Sequence, residues 1–349
     1  MNQRMNRIPT LDGWRGIAIL MVVVTHLQIS LLGHLYGGYR WMDLGQHGVN
    51  LFFVLSGYLI TGRLLCEEKI DLRSFYLRRF FRLMPCAWAY LLTLAIASMI
   101  AHTALVGRDA WSCLFFFRNY YPQGEAADNF RTGHFWSLSL EEQFYLAWPP
   151  VLFFAGRVRA VWIAAGVAIA CAVFRFLYWH SYNQVFADQR TEVRIDALLV
   201  GCLLALLLES ARIRAWFQRF GGSLFWILAL VLVWHIHRYE FLIPLSESLA
   251  MAAIIACTSL APSSIAARAL EWKHLKFLGL ISYSLYVWQQ GVLFIPLPRI
   301  GALFLAFVAI LSYGLIERPC IAFGRRVVRA LRPVNALAKS KESLRLWPS

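Results

Sequence analysis

Charged residues are scarce in this chain of 349 residues: Asp, Glu, Lys and Arg make up 15% of it, whereas an average soluble domain carries roughly 25% charge. Hydrophobic residues account for 59% of the sequence, and the mean hydropathy is +0.56. This balance excludes an ordinary soluble domain. We expect an all-α, polytopic integral membrane protein.

The sequence also lacks a disulfide framework, a zinc-type spacing, a linker and an internal repeat. Its seven cysteines are odd in number and lie mostly in or beside apolar runs, so we expect buried thiols and no bound metal. No Pro-, Gly- or Ser-rich stretch divides the chain. We therefore expect one transmembrane domain over residues 1–324, followed by a basic cytoplasmic tail over residues 325–349.

The chain contains many long apolar runs. A spanning helix needs about 20 apolar residues, and about ten segments are candidates. They lie near residues 17–36, 48–65, 83–101, 135–155, 160–178, 196–209, 224–237, 243–261, 277–295 and 301–319. The first is too long for the apolar core of a signal peptide and no small-residue cleavage site follows it, so we expect it to be retained.

Positive charge is distributed unevenly between the connecting segments. If the N-terminus is cytoplasmic and ten helices cross the membrane, 25 of the 34 Lys and Arg residues fall on the cytoplasmic side. This asymmetry predicts that both termini face the cytoplasm. It also explains the formal net charge of +15 without a nucleic-acid partner.

Ionisable residues inside apolar runs are the strongest functional signal, because a charge at bilayer depth is costly. Arg15 and His26 are 11 residues apart, which places them on one helix face about 16 Å apart. Arg15 is either a snorkelling residue at the membrane edge or a binder of an anionic group. His26 is either a structural hydrogen-bonding residue between helices or a general acid or base, since its ordinary pKa is about 6.5.

A second group surrounds two adjacent glutamates in a later apolar run. Ser137, Glu141 and Tyr145 follow an i, i+4, i+8 spacing and therefore share a helix face. Glu142 points about 100° away from Glu141, so the two cannot serve one small site equally. The pair is either interfacial or functional. Within the error of the predicted boundaries, His26 and Glu141 lie at similar depth and can converge.

Two further segments are weaker candidates. Arg78, Arg79 and Arg82 cluster at the predicted cytoplasmic edge, where they bind either anionic lipid headgroups or a phosphate-rich cofactor. Ser56 and Gly57 allow close approach of helices. Asn50, in the same segment as Ser56 and Gly57, belongs either to helix packing or to the outer half of a site.

Taken in order, these segments resemble the membrane-bound acyltransferase 3 family. The matching stretches are LDGWRG followed by His26, GVNLFFVLSGYLI, RRFFRLMP, FWSLSLEEQFY, SYSLYVWQ and IERP. They cover residues 10–149, 279–290 and 316–319. The intervening residues, about 156–276, match only as hydrophobic helices.

The resemblance implies an integral inner-membrane O-acyltransferase. It would move an acyl group, commonly acetyl, from cytoplasmic acyl-CoA to a hydroxyl on a polysaccharide or other carbohydrate acceptor. The family's site residues correspond to His26, Glu141 and Arg15 in catalysis and to Arg15, Arg78, Arg79 and Arg82 in acyl-CoA binding. We expect acceptor contacts from Asn50, Ser137, Tyr145, Gln289 and Glu142.

Two positions depart from the family pattern. Asn50 replaces a carboxylate and Gln289 replaces a histidine, so both are expected to orient or contact the acceptor rather than transfer protons. A different class of function also fits the buried Arg, His and Glu: a transporter or flippase with a proton relay. Transporters often contain internal repeats, and the sequence shows none, which disfavours this class.

Overall fold

The part of the chain that the computed structural model describes is helical, which confirms the all-α prediction. It comprises residues 8–32, 44–101, 107–121, 130–182, 189–238, 245–293 and 298–331, and no strand occurs within these ranges. The predicted tail beyond residue 331 lies outside the described residues.

Fifteen α-helices make up these ranges. In chain order they are α1 Pro9–Leu32, α2 Leu44–Leu65, α3 Leu72–Ile100, α4 Gly107–Leu114, α5 Phe130–Gly133, α6 Phe135–Tyr182, α7 Thr191–Arg194, α8 Asp196–Leu207, α9 Ala211–Arg238, α10 Leu245–Leu260, α11 Ile265–Leu270, α12 Lys273–Leu280, α13 Ser282–Leu293, α14 Pro298–Ser312 and α15 Arg318–Ala330. A 3₁₀ turn covers Arg118–Tyr120 and a π-helical turn, Tyr313–Glu317, joins α14 to α15.

Six helical segments in the described ranges are long and apolar enough to cross a bilayer, and α8 and α10 are shorter apolar helices. The chain is therefore a multi-pass membrane protein. All ten apolar segments expected from the sequence fall largely on helices. The number of crossings and the cytoplasmic position of both termini stay predictions.

Helix α6 contains two of the predicted segments, and it bends between them at Gly156. This glycine has a φ of +71°, a backbone conformation that residues with a Cβ rarely adopt. The polar residues Arg157 and Arg159 follow directly. The break thus divides α6 into an N-terminal part, which carries Glu141, and a C-terminal part that exposes many large apolar side chains.

Two helix boundaries differ from the hydropathy prediction. Helix α3 begins at Leu72, because the Asp71 side chain caps it by accepting a hydrogen bond of 3.0 Å from the Ser74 backbone N–H. The arginine cluster around Arg79 therefore lies on a helix and not in a loop. At the other end of the chain, α15 continues to Ala330; hydropathy misses it because one of its faces is basic.

Helix α2 lies at the centre of the bundle and packs against α1 and α8. The crossing with α8 depends on two glycines, since a Cβ on Gly57 would lie 1.9 Å from Leu198 O and a Cβ on Gly201 would lie 2.1 Å from Val54 O. The sequence-based expectation that Gly57 permits close helix approach is thus confirmed. This tight packing fixes the α2 side chains that face α6.

Candidate active site

A cavity of about 350 Å³ lies between α1, α2, α3, α6, α13 and α15. Seven arginines contribute to its wall, against two acidic residues, Asp12 and Glu141. The arginines are Arg15, Arg63, Arg78, Arg79, Arg82, Arg325 and Arg329. Because like charges repel in a partly buried space, this wall is suited to a ligand with several negative charges.

Four of these arginines, Arg15, Arg78, Arg79 and Arg82, are the ones that the sequence singled out for donor binding. The structure brings them to one cavity from two helices, α1 and α3. Near the cavity, Arg78 also forms an ion pair of 2.9 Å with Glu67. Such a pair holds a guanidinium in place while it leaves donor nitrogens for a second anion.

Glu141 lies in the same cavity as the arginines, and neighbouring side chains fix its carboxylate. Ser56 donates to Oε1 at 3.0 Å and the Tyr145 hydroxyl donates to Oε2 at 2.7 Å. The guanidinium carbon of Arg79 lies 4.3 Å from the centre of the Tyr145 ring, which is close enough for a cation–π interaction. Glu141 and Tyr145 thus form one hydrogen-bonded unit next to the arginines, as their helical spacing predicted.

His26 lies on α1 outside the wall of this cavity and is only partly buried. Its Nδ1 is 2.9 Å from the Val22 carbonyl oxygen, and its Nε2 is 3.0 Å from Gln290 Nε2. The continuous helix α1 places His26 about 16 Å along the axis from Arg15. The expected convergence of His26 with Glu141 stays a prediction.

Hydrogen bonds link the cavity to His26 through residues of α6 and α13. Ser137 and Tyr286, both in the cavity wall, are hydrogen-bonded to each other. Their hydroxyl oxygens lie 3.1 and 3.3 Å from the His134 carbonyl oxygen, and the hydroxyl that accepts within the pair donates to this carbonyl. The His134 side chain contacts Gln290 at 2.8 Å, and Gln290 reaches His26. Ser137 is therefore placed between the arginine cavity and the histidine.

Asn50 belongs to a separate, fully buried cluster between α2 and α10. Its amide donates to Glu247 Oε1 and to Ser248 Oγ, each at 3.2 Å, while His47 Nδ1 lies 3.0 Å from the same Glu247 oxygen. The sequence had indicated that a carboxylate is lost at position 50. The structure shows that Glu247, from a helix distant in sequence, brings a carboxylate to the side chain at that position.

The other predicted acceptor contacts lie outside the cavity wall. Glu142 follows Glu141 on α6 but faces away from the cavity, in keeping with the angle between adjacent helical positions. Gln289 is completely buried, and neither atom of its amide has a hydrogen-bond partner among the described residues. Its neighbour Gln290 makes the contact with His26.

Several residues that sequence reasoning missed complete the arrangement. Arg63, Arg325 and Arg329 join the arginine wall, and Ser282 lines the cavity with a buried hydroxyl that has no partner in the described ranges. In the sequence, His134 was noticeable only as the polar residue directly before the FWSLS motif. Within the described ranges, no group of His, Cys, Asp or Glu side chains could hold a metal ion.

The family model for the acyltransferase domain matches residues 8–316 of this chain, which is most of its length. The chain belongs to the acyltransferase 3 family. The resemblance seen in the short motifs is thereby confirmed over residues 8–316, including the middle segment that the motifs did not cover. The matched region contains Arg15, His26, the arginines of α3 and Glu141.

Individual relatives support the same assignment. The chain is 31% identical to YrhL of Bacillus subtilis (strain 168) over 91% of this chain and 56% of that protein. It is 29% identical to the O-acetyltransferase OatA of Staphylococcus aureus (strain NCTC 8325 / PS 47), over 89% of this chain and 57% of OatA. It is 27% identical to the peptidoglycan O-acetyltransferase OatA of Listeria monocytogenes, over 89% and 55% respectively.

The chain thus spans a little over half the length of these relatives. The shared part is the membrane domain, and homology to O-acetyltransferases is established for it. No solved structure was found to match the chain.

Proposed function

We propose that this protein is an O-acetyltransferase of the bacterial inner membrane, with both termini in the cytoplasm. It moves an acetyl group from acetyl-CoA to a hydroxyl of a glycan. The observation that carries the proposal is the convergence of seven arginines on one cavity beside Glu141. Homology to O-acetyltransferases supports the class of reaction, and the cavity supports the class of donor.

Coenzyme A fits the charge of the cavity because it carries several phosphate groups and a long, thin arm. Arg15, Arg78, Arg79 and Arg82 are proposed to bind the phosphates, since guanidinium groups bind phosphate with paired hydrogen bonds. The arm would then direct the thioester past Ser137 and Tyr286 towards His26. Apolar residues between the arginines and Ser137, such as Phe52 and Leu138, line this path.

His26 is proposed to act at the thioester in one of two ways. As a general base, its Nε2 takes the proton of the acceptor hydroxyl, the oxygen attacks the thioester carbonyl carbon, and the C–S bond breaks. The thiolate of CoA leaves and recovers a proton from the imidazolium. As a nucleophile, Nε2 instead attacks the thioester carbonyl carbon, the C–S bond breaks and the CoA thiolate leaves. In a second step the acceptor oxygen takes the acetyl group, the C–N bond to Nε2 breaks, and the hydroxyl proton goes to the thiolate.

Glu141 is proposed to stabilise the positive charge that develops on His26 during transfer and to hold the donor-binding arginines in place. Its hydrogen bonds to Ser56 and Tyr145 fix the carboxylate, and low local dielectric strengthens its electrostatic effect. Ser137 and Tyr145 would orient the substrates from the same helix face. Asn50, Glu142 and Gln289, which lie outside the cavity wall, stay proposed acceptor contacts.

A glycan acceptor is favoured because the Listeria monocytogenes relative is named a peptidoglycan O-acetyltransferase. The test uses the full chain in lipid nanodiscs with acetyl-CoA, radiolabelled in the acetyl group, and soluble peptidoglycan glycan fragments. We expect release of free CoA thiol and label on the glycan as an alkali-labile ester, at rates above those of protein-free nanodiscs.

Two results would contradict the proposal. One is the absence of both thiol release and glycan ester with folded protein. The other is uptake of glycan fragments into proteoliposomes without acetylation, which would support the transporter reading. A readout of label on the glycan separates these outcomes, because transport leaves the glycan unmodified.

A further inference from the structure

The amide of Gln290 bridges two histidines, and its orientation can be deduced. The backbone N–H of His134 lies 2.9 Å from one terminal atom of the Gln290 side chain. A backbone N–H can only donate, so this atom is the carbonyl oxygen, Oε1. The His134 ring nitrogen at 2.8 Å does not decide the matter, because an imidazole nitrogen can donate or accept.

The orientation of the amide in turn determines the protonation of His26. The other terminal atom of Gln290 must be the NH₂ group, which only donates, and it lies 3.0 Å from His26 Nε2. His26 Nε2 therefore accepts and carries a lone pair. The proton of the neutral ring is on Nδ1, which lies 2.9 Å from the Val22 carbonyl oxygen, an acceptor. The contacts of His26 then each pair one donor with one acceptor. The His134 ring faces two acceptors, Gln290 Oε1 at 2.8 Å and the Val287 carbonyl oxygen at 2.9 Å, and it donates to both only as the doubly protonated imidazolium.

We propose that Gln290 is a positioning residue that fixes the tautomer of His26 with the proton on Nδ1 and the lone pair on Nε2. Its catalytic consequence rests on the proposed function. Both routes described above, proton abstraction and acetyl transfer through the imidazole, need a lone pair on the same nitrogen. A ring in the opposite tautomer would present an N–H there and could do neither.

The Gln290 N–H also occupies the position that a substrate hydroxyl would take. An acceptor hydroxyl that displaces the amide is a donor to Nε2 just as the amide is. The nitrogen that it meets is already unprotonated, so no tautomer exchange precedes the reaction. Gln290 is 5% exposed and its oxygen stays bonded to the His134 backbone, so the amide can return after product release.

The substitution Gln290→Glu tests this assignment with almost no change in shape. A carboxylate keeps the acceptor for the His134 N–H but places a second acceptor against His26, which must then present an N–H at Nε2. Gln290→Leu removes the donor to Nε2 and leaves the Val22 carbonyl at Nδ1 as the remaining contact that selects the tautomer. Gln218→Glu, on the exposed face of α9, is the matched control for the change of amide to carboxylate.

The direct readout is nitrogen NMR of protein labelled with ¹⁵N-histidine in nanodiscs, with the His26 signals assigned by comparison with His26→Ala. In the unmodified protein we expect Nδ1 to be protonated and Nε2 unprotonated. In Gln290→Glu we expect Nε2 to be protonated, and acetyl transfer to fall by at least about 100-fold with an unchanged Kd for acetyl-CoA. Gln290→Leu should show a larger share of the tautomer protonated on Nε2 than the unmodified protein, and Gln218→Glu should show neither change.

A wild-type His26 that is protonated at Nε2 and not at Nδ1 would overturn the proposal, whatever the variants do. So would a folded Gln290→Glu protein with the wild-type tautomer and rate. The NMR result does not depend on which reaction the protein catalyses, so a failure of this proposal is distinguishable from a failure of the proposed function. If Gln290→Glu does not fold, the spectrum of the unmodified protein still decides.

Discussion

At the scale of single residues, the arginine charge that is proposed to bind the donor lies apart from the imidazole that is proposed to react. The arginines and Glu141 share the cavity, whereas His26 lies beyond Ser137 and Tyr286. The link between them consists of neutral hydrogen-bonding groups and His134. This arrangement allows binding and chemistry to be tested by different substitutions.

Glu141→Gln is predicted to reduce acetyl transfer by about 10² to 10⁴-fold, the range that a positioned acid–base group contributes. The amide keeps the size of the side chain, while its charge beside Arg79 is lost. The measurement is release of CoA thiol at saturating acetyl-CoA. Glu209→Gln makes the same change at an exposed position after α8, where Glu209 pairs with Arg157 at 2.8 Å, and should have a much smaller effect. Equal effects of the two substitutions would contradict the role given to Glu141.

Much of this site could be predicted from spacing within single helices. The i, i+4, i+8 pattern placed Ser137, Glu141 and Tyr145 on one face, and all three line the cavity. Contacts between helices distant in sequence could not be found in this way. The Asn50–Glu247 hydrogen bond joins residues 197 positions apart, and no local pattern relates them.

At the scale of elements, the functional surfaces depend on helix boundaries that hydropathy locates poorly. Helix α3 extends towards its N-terminus as far as the Asp71 cap, and α15 extends past the π-helical turn to Ala330. Both extensions carry arginines, which lower the local hydropathy, so a hydropathy profile leaves these residues outside the predicted helices. Gly324 allows α15 to approach α3 closely, since a Cβ there would lie 2.6 Å from Phe81 Cβ.

Helix α15 is predicted to supply a second half of the donor site. Arg325 and Arg329 are four residues apart and both line the cavity, so they face the arginines of α3. Arg325→Ala or Arg329→Ala should raise the Kd for acetyl-CoA by about 10- to 100-fold, the equivalent of losing about 1.5–3 kcal/mol from a charged hydrogen bond.

The measurement is isothermal titration with acetyl-CoA in nanodiscs. Arg326→Ala is the matched control, because Arg326 is exposed on another face of the same helix. An equal loss of affinity in Arg326→Ala would show that general surface charge, and not the cavity, sets the affinity.

The crossing of α2 and α8 is predicted to tolerate no side chain at Gly57. Gly57→Ala would push a methyl group against the Leu198 carbonyl, and overpacking of this kind costs about 1–3 kcal/mol. We expect a lower midpoint of thermal unfolding in detergent. Gly222→Ala on α9 is the control, since a Cβ there meets nothing within 4 Å. An unchanged midpoint in Gly57→Ala would mean that the helices are less closely packed than described.

At the scale of the whole molecule, the account requires the arginine cavity to open to the cytoplasm, where acetyl-CoA is made. The excess of positive charge on one side predicts this orientation. Exposed Cys66, in the turn between α2 and α3, reports on it. A membrane-impermeant thiol reagent should label Cys66 in inverted membrane vesicles and not in intact spheroplasts. Cys66→Ser identifies the signal, and labelling in spheroplasts would reverse the topology.

The central claim is that one membrane domain binds acetyl-CoA through its arginine cavity and transfers the acetyl group at His26. The most direct measurement compares His26→Ala with the unmodified protein, at equal abundance in nanodiscs, for both acetyl-CoA affinity and acetyl transfer to glycan fragments. The account predicts an unchanged Kd together with loss of transfer to the background of protein-free nanodiscs. Normal transfer by His26→Ala would contradict it.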